Sequence, residues 1–210
     1  MRLLDLMEPE ETVGNLWHDM AKGIGADVIF PEAGITLASV RPSLAVLFRA
    51  LGGSAGVELG EAPATLMKHR RPIRRKLGAD EDSEWQASFD GERLKLPPVI
   101  DCFEDKAHNR AAYFWLTALA ALADLDAQPL PDASLEACAF DVAQIAANTL
   151  ASDRAYERCA GLRQTYSEMA ALCLAQRPRQ GLPASEAAVE CAIRNQLDGA
   201  CCDADVPDAP

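Results

Sequence analysis

The stretch from about Asp105 to Ala127 constrains this chain most, because its large apolar residues follow helical spacing without keeping to one face. Tyr113, Phe114, Trp115, Leu116, Leu119 and Leu122 would need neighbours on several sides, so this helix belongs at the centre of a core. Its most apolar part, Tyr113 to Leu125, is about half the length that spans a bilayer and runs into Asp126 and Pro129. A buried helix is expected, with no membrane insertion.

Other segments arrange themselves around it. Glu8 to Ala21 reads as a helix with Val13, Leu16, Trp17 and Met20 on one face and acids in its first turn. A second helix is expected from about Pro42, with Leu44, Leu47, Phe48 and Leu51 at three- and four-residue spacing and Gly52-Gly53 as its stop. A third is expected over Ala62 to Leu77, kinked at Pro72. Alternation in Trp85 to Phe89 and Glu92 to Leu96 around Asp90-Gly91 predicts a β-hairpin, stopped by Pro97-Pro98.

Beyond Gln128-Pro129-Leu130-Pro131, Asp132 or Ser134 caps a long helical run to about Gln176, with a break expected near Ser152-Asp153. Phe140, Ile145, Leu150, Tyr156, Leu162, Tyr166, Met169 and Leu172 are its apolar residues. A last helix covers Ala184 to Asp198. The fold class is therefore mainly α, a helical bundle-like domain over 1–198 with one small β-hairpin and a subdivision offering itself near 128–131. Residues 199–210 read as an acidic flexible tail.

Seven cysteines, most inside apolar helical patterns, suit a reducing compartment and the role of small core residues, so a cytoplasmic location is expected. The net charge of −12 disfavours nucleic acid as main partner. One window opposes that charge: Lys68, Arg70, Arg71, Arg74, Arg75 and Lys76 lie within nine residues that hold no acid. The remaining 14 basic residues face 32 acids. Arginine outnumbers lysine in the window, which favours protein recognition over a merely solvated face. A phosphate-bearing small molecule held by Arg70, Arg71, Arg74 and Arg75 is the competing reading.

Catalytic signatures fail one by one. His18, His69 and His108 have no ligand spacing, and neither C-x-x-C nor H-E-x-x-H occurs, so no metal or cofactor is expected. The glycines at 23–25 and 52–56 do not form a phosphate loop, and no G-x-S-x-G occurs. Without a nucleophile, base and stabiliser to name, the chain is expected to bind rather than catalyse.

Three clusters in order carry a resemblance. They are Glu8 through Leu16, Trp17 and His18; then Val46-Leu47-Phe48-Arg49-Ala50-Leu51-Gly52-Gly53; then Asp90 through Pro98 to Asn109-Arg110-Ala111-Ala112-Tyr113-Phe114-Trp115-Leu116. Together they resemble the N-terminal region of the CbbO and NorD family. That resemblance implies an adaptor for a hexameric MoxR-class AAA+ ATPase, the CbbQ or NorQ partner. The implied client is Rubisco, freed of inhibitory sugar phosphates, in the CbbO branch, and nitric oxide reductase, assisted in maturation, in the NorD branch. The Rubisco branch is slightly favoured. The family's C-terminal von Willebrand factor A domain is expected to be missing here, as in an N-terminal fragment. Its D-x-S-x-S metal motif has no match, since Asp132-Ala133-Ser134-Leu135-Glu136 ends in Glu.

Overall fold

The structure, a computed structural model, describes residues 29–66, 83–85, 87–123, 137–176 and 184–198. Among them run α1 (Leu37–Ala50), α2 (Lys106–Leu122), α3 (Ala137–Arg158), α4 (Arg163–Gln176) and α5 (Ala184–Asp198). Seven short strands accompany the helices: β1 (Ile35–Thr36), β2 (Glu58–Glu61), β3 (Ala64–Leu66), β4 (Ser83–Trp85), β5 (Ser88–Phe89), β6 (Arg93–Leu96) and β7 (Val99–Ile100). The class is mainly α, with more sheet than the single expected hairpin.

Helix α2 is the expected centre. Asp105 starts it by accepting the Ala107 amide at 2.8 Å on its side chain, which takes up one of the orphan donors of the first turn. Ala112, Tyr113, Trp115, Leu116, Ala118, Leu119 and Ala120 are all buried, so almost the whole circumference is covered. Helix α1 packs on one side, α3 and α4 on others, and β6 and β7 close the remainder. The helix stops at Leu122, sooner than expected, because Ala123 turns extended (φ −64°, ψ 126°). Residues 124–127 of the expected helix lie outside the described residues.

Helix α1 begins five residues before Pro42, which sits inside it. Leu37 and Val40 continue the buried stripe of Leu44 and Phe48 back towards the N-terminus, and that burial sets the start. The bond that proline cannot make belongs to Ala38, and both residues face solvent, where water can take the carbonyl. At the other end, Gly52 takes φ +107° and donates to Arg49 O at 3.1 Å, while Gly53 donates to Phe48 O at 2.9 Å. These two bonds make a Schellman cap. The left-handed residue must be free of a Cβ, which explains Gly52. Gly53 is fixed by space, since a Cβ there would overlap the Phe48 ring and stand 2.7 Å from its Cζ.

The hairpin of β5 and β6 forms in the register Ser88 to Lys95 and Phe89 to Leu94. Its turn is centred on Gly91-Glu92, one residue later than the Asp90-Gly91 expected. Gly91 supplies the positive φ (+91°) at the first central position, as a type II′ turn requires. Asp90 works from outside the turn, its carboxylate accepting the Glu92 and Arg93 amides at 2.8 and 2.5 Å. A third strand was not foreseen: β2 lies parallel to β6, with Leu59 opposite Leu94, and gives the order β2-β6-β5. Antiparallel β1–β7 adds a small ladder beside α2.

The helix expected over Ala62 to Leu77 is corrected where it is described. Ala64–Leu66 is strand β3, paired antiparallel with β4 through Ala64 opposite Trp85, and Ala62 donates to Leu96 O at 2.7 Å. Partner strands far along the chain take these backbone groups, which outweighs the local helix preference of alanine. Trp85 thus belongs to β4 and is 42% exposed, outside the hairpin where it was expected. Lys68 to Lys76, the helix at Glu8 to Ala21, the caps Asp132 and Ser134 and the tail 199–210 lie outside the described residues.

The second half breaks at Cys159 to Leu162, not at Ser152-Asp153. Ser152 is buried in mid-helix, where its Oγ receives Gln196 Nε2 of α5 at 3.5 Å. Gly161 marks the real break, and the Arg163 guanidinium takes two of the carbonyls that α3 leaves open, Tyr156 O at 2.5 Å and Glu157 O at 2.8 Å. Of the apolar residues named for this run, Ile145, Tyr166 and Met169 are buried, whereas Leu150, Tyr156 and Leu172 point outward at 41–56% exposure. Small residues face inward with them, among them Ala151, Ala155, Cys159, Ala170 and Cys173, where α5 packs against both α3 and α4. Helix α5 has the bounds expected of it.

Candidate protein-binding site

Most signature residues that are described serve the fold. Asn109 is fully buried and uses its whole amide: Nδ2 donates to Phe103 O at 2.7 Å and Ala33 O at 3.0 Å, and Oδ1 accepts Phe103 N at 2.9 Å. It clamps two loops onto α2. Tyr113, equally buried, donates its hydroxyl to Pro97 O at 2.7 Å and reaches Ile35 O at 3.3 Å. Trp115 is 1% exposed and stacks on Tyr166 with ring centroids 3.9 Å apart, joining α2 to α4. Its Nε1 is buried without a hydrogen-bond partner.

Two signature arginines remain on the surface. Arg49 folds back on its own helix to Ala45 O at 2.9 Å, and Arg110 lies over the Phe114 ring at 5.4 Å. Leu16, Trp17, His18 and all six residues of the basic window, Lys68, Arg70, Arg71, Arg74, Arg75 and Lys76, are outside the described residues.

The perturbed ionisable side chains are held by burial or by local hydrogen bonds. Burial pushes the Cys102 thiol up to about 12, so it is held protonated and unreactive. Burial raises the Tyr113 phenol as well. His108 Nε2 meets Glu168 Oε2 at 3.1 Å, tying the start of α2 to α4, and Glu168 also accepts Gln164 Nε2 at 3.0 Å. The His108 bond is the chief cause that lowers the Glu168 carboxyl. Sequence reading treated His108 as isolated, because its partner is 60 residues away. Among the described residues no three His, Cys, Asp or Glu gather as a metal site would need, and no helix is long and apolar enough to cross a membrane.

One concavity brings the elements together. A groove of about 560 Å³ opens between the Schellman cap of α1, the hairpin turn, the end of α2 and one face of α3. Phe48, Leu51, Val57, Phe89 and Leu122 give it apolar walls, with Phe48 and Phe89 edge to face at 5.6 Å. Small residues, Gly53, Gly91, Ala120, Ala121 and Ala123, leave the space open. Arg154 and Arg158 stand at its rim, and Arg154 Nη1 approaches Leu122 O at 3.4 Å, where the helix leaves a carbonyl unpaired. Sequence reading missed this site. Its only local trace was two arginines at the i, i+4 spacing of one helix face.

The fold and this groove define a mainly α domain with an apolar, arginine-rimmed cleft suited to binding. Comparison with known proteins gives a more particular answer. The chain is 35% identical over 208 residues to protein NorD of Brucella suis, covering 98% of this chain and 32% of that protein. It is 33% identical over 192 residues to an uncharacterized protein of Pseudomonas aeruginosa, and 29% identical over 192 residues to protein NorD of Stutzerimonas stutzeri, covering 91% of this chain and 29% of the relative in each case. The chain is thus similar over nearly its whole length to a part of NorD proteins. The chain spans about a third of the length of the curated relatives it matches. No family profile matches it, and no solved structure matches it significantly.

Proposed function

We propose that this chain is a non-catalytic, protein-binding part of a NorD-type accessory factor that assists the maturation of nitric oxide reductase. The observation that carries this reading is the similarity to NorD over nearly the whole chain. It favours the nitric oxide reductase client over Rubisco, the branch preferred on sequence alone, because the named relatives are NorD proteins. The resemblance adds the mechanical partner, a MoxR-class AAA+ ATPase hexamer. In this reading the domain docks on the ATPase and passes its work to the client through parts of the longer protein.

The groove gives one docking point, and the basic window, with six like charges in nine residues, supplies a second that suits an acidic surface. Two experiments test the proposal. Cells lacking the full-length protein should lose nitric oxide reductase activity and regain it on complementation; unchanged activity would refute the client. The purified chain should capture a MoxR-class ATPase hexamer in a salt-dependent manner, and reversing Arg70, Arg71, Arg74 and Arg75 to Glu should weaken capture while circular dichroism stays unchanged. No capture by the parent chain would refute the adaptor role.

A further inference from the structure

We draw no further inference here: the strongest candidate, the groove between the Schellman cap of α1, the hairpin turn, the end of α2 and α3, belongs to the site already described, and nothing among the described residues shows what covers its apolar walls.

Discussion

Gly52 and Gly53 are adjacent and chemically identical, yet the structure assigns them separate physical jobs, which substitution can tell apart. At Gly52 a side chain would meet nothing within 4 Å, so the whole cost of Gly52→Ala is the left-handed backbone at φ +107°, about 1 to 2 kcal/mol. Gly52→Asn should cost less, because asparagine tolerates that region. At Gly53 no positive φ is involved; the added Cβ must displace the Phe48 ring. That ring is 2% exposed and packs edge to face on Phe89, so it cannot swing into solvent. Overpacking of this kind costs about 1 to 3 kcal/mol, and Asn should be worse than Ala. In the background Phe48→Leu, which itself costs some stability, Gly53→Ala should become nearly neutral, while Gly52→Ala should keep its full penalty. Urea unfolding followed by circular dichroism measures each corner of the cycle. A Gly53→Ala cost unaffected by Phe48→Leu would refute the steric account, and a Gly52→Asn cost equal to or larger than that of Gly52→Ala would refute the backbone one.

Three further outcomes are expected. Trp115→Ala, which empties the stack on Tyr166, should cost about 3 to 5 kcal/mol, and an unchanged melting temperature would contradict its central place. Asn109→Leu should cost about 2 to 4 kcal/mol, because it strands the Phe103 amide and the Ala33 and Phe103 carbonyls, whereas Tyr113→Phe, which removes one donor, should cost about 1 kcal/mol; denaturant midpoints compare them. Asp90 and Glu168 have carboxyls held below their ordinary values of 3.8 and 4.5. For Asp90 burial works the other way and is outweighed by the Arg93 and Glu92 amides; for Glu168 the His108 bond leads. Lowered folded values mean stability fully present above those ordinary values and lost as pH falls through the folded ones, so Asp90→Asn and Glu168→Gln should each flatten the loss of stability below about pH 4.5 in acid titrations. An acid limb as steep as the parent's in both variants would contradict this.

The central helix was legible because its signals are local and redundant. Asp105 caps, apolar residues ring the axis, and burial follows from the pattern alone. The stop of α1 was equally plain in Gly52-Gly53. What failed did so where distant partners decided the outcome. Ala62 to Leu66 has helix-forming residues, and only pairing with Trp85 and Leu96 makes it extended. Pro42 resembled a helix start until Leu37 and Val40 were found to be buried before it. In the second half the large apolar residues were a partial guide: Ile145, Tyr166 and Met169 are buried together with small Ala and Cys residues, while Leu150, Tyr156 and Leu172 stand outside.

The candidate site was least legible, and the reason lies in what the signature clusters are for. Phe48, Gly52 and Gly53 build a helix stop, Asn109 a loop clamp, Tyr113 and Trp115 the core, and each is explained by burial or backbone geometry without a partner. Such residues are distinctive in sequence because the fold leaves few alternatives at their positions. Arg154 and Arg158, by contrast, reach the cleft only because α3 carries them to it, and its other walls come from residues 48–57, 89–91 and 120–123. Of those walls the Schellman cap and the hairpin turn fall within the signature clusters, whereas the end of α2 lies beyond their last residue, Leu116. The resemblance pattern therefore acts at one remove, through backbone features that shape part of a groove rather than through groups that line it chemically.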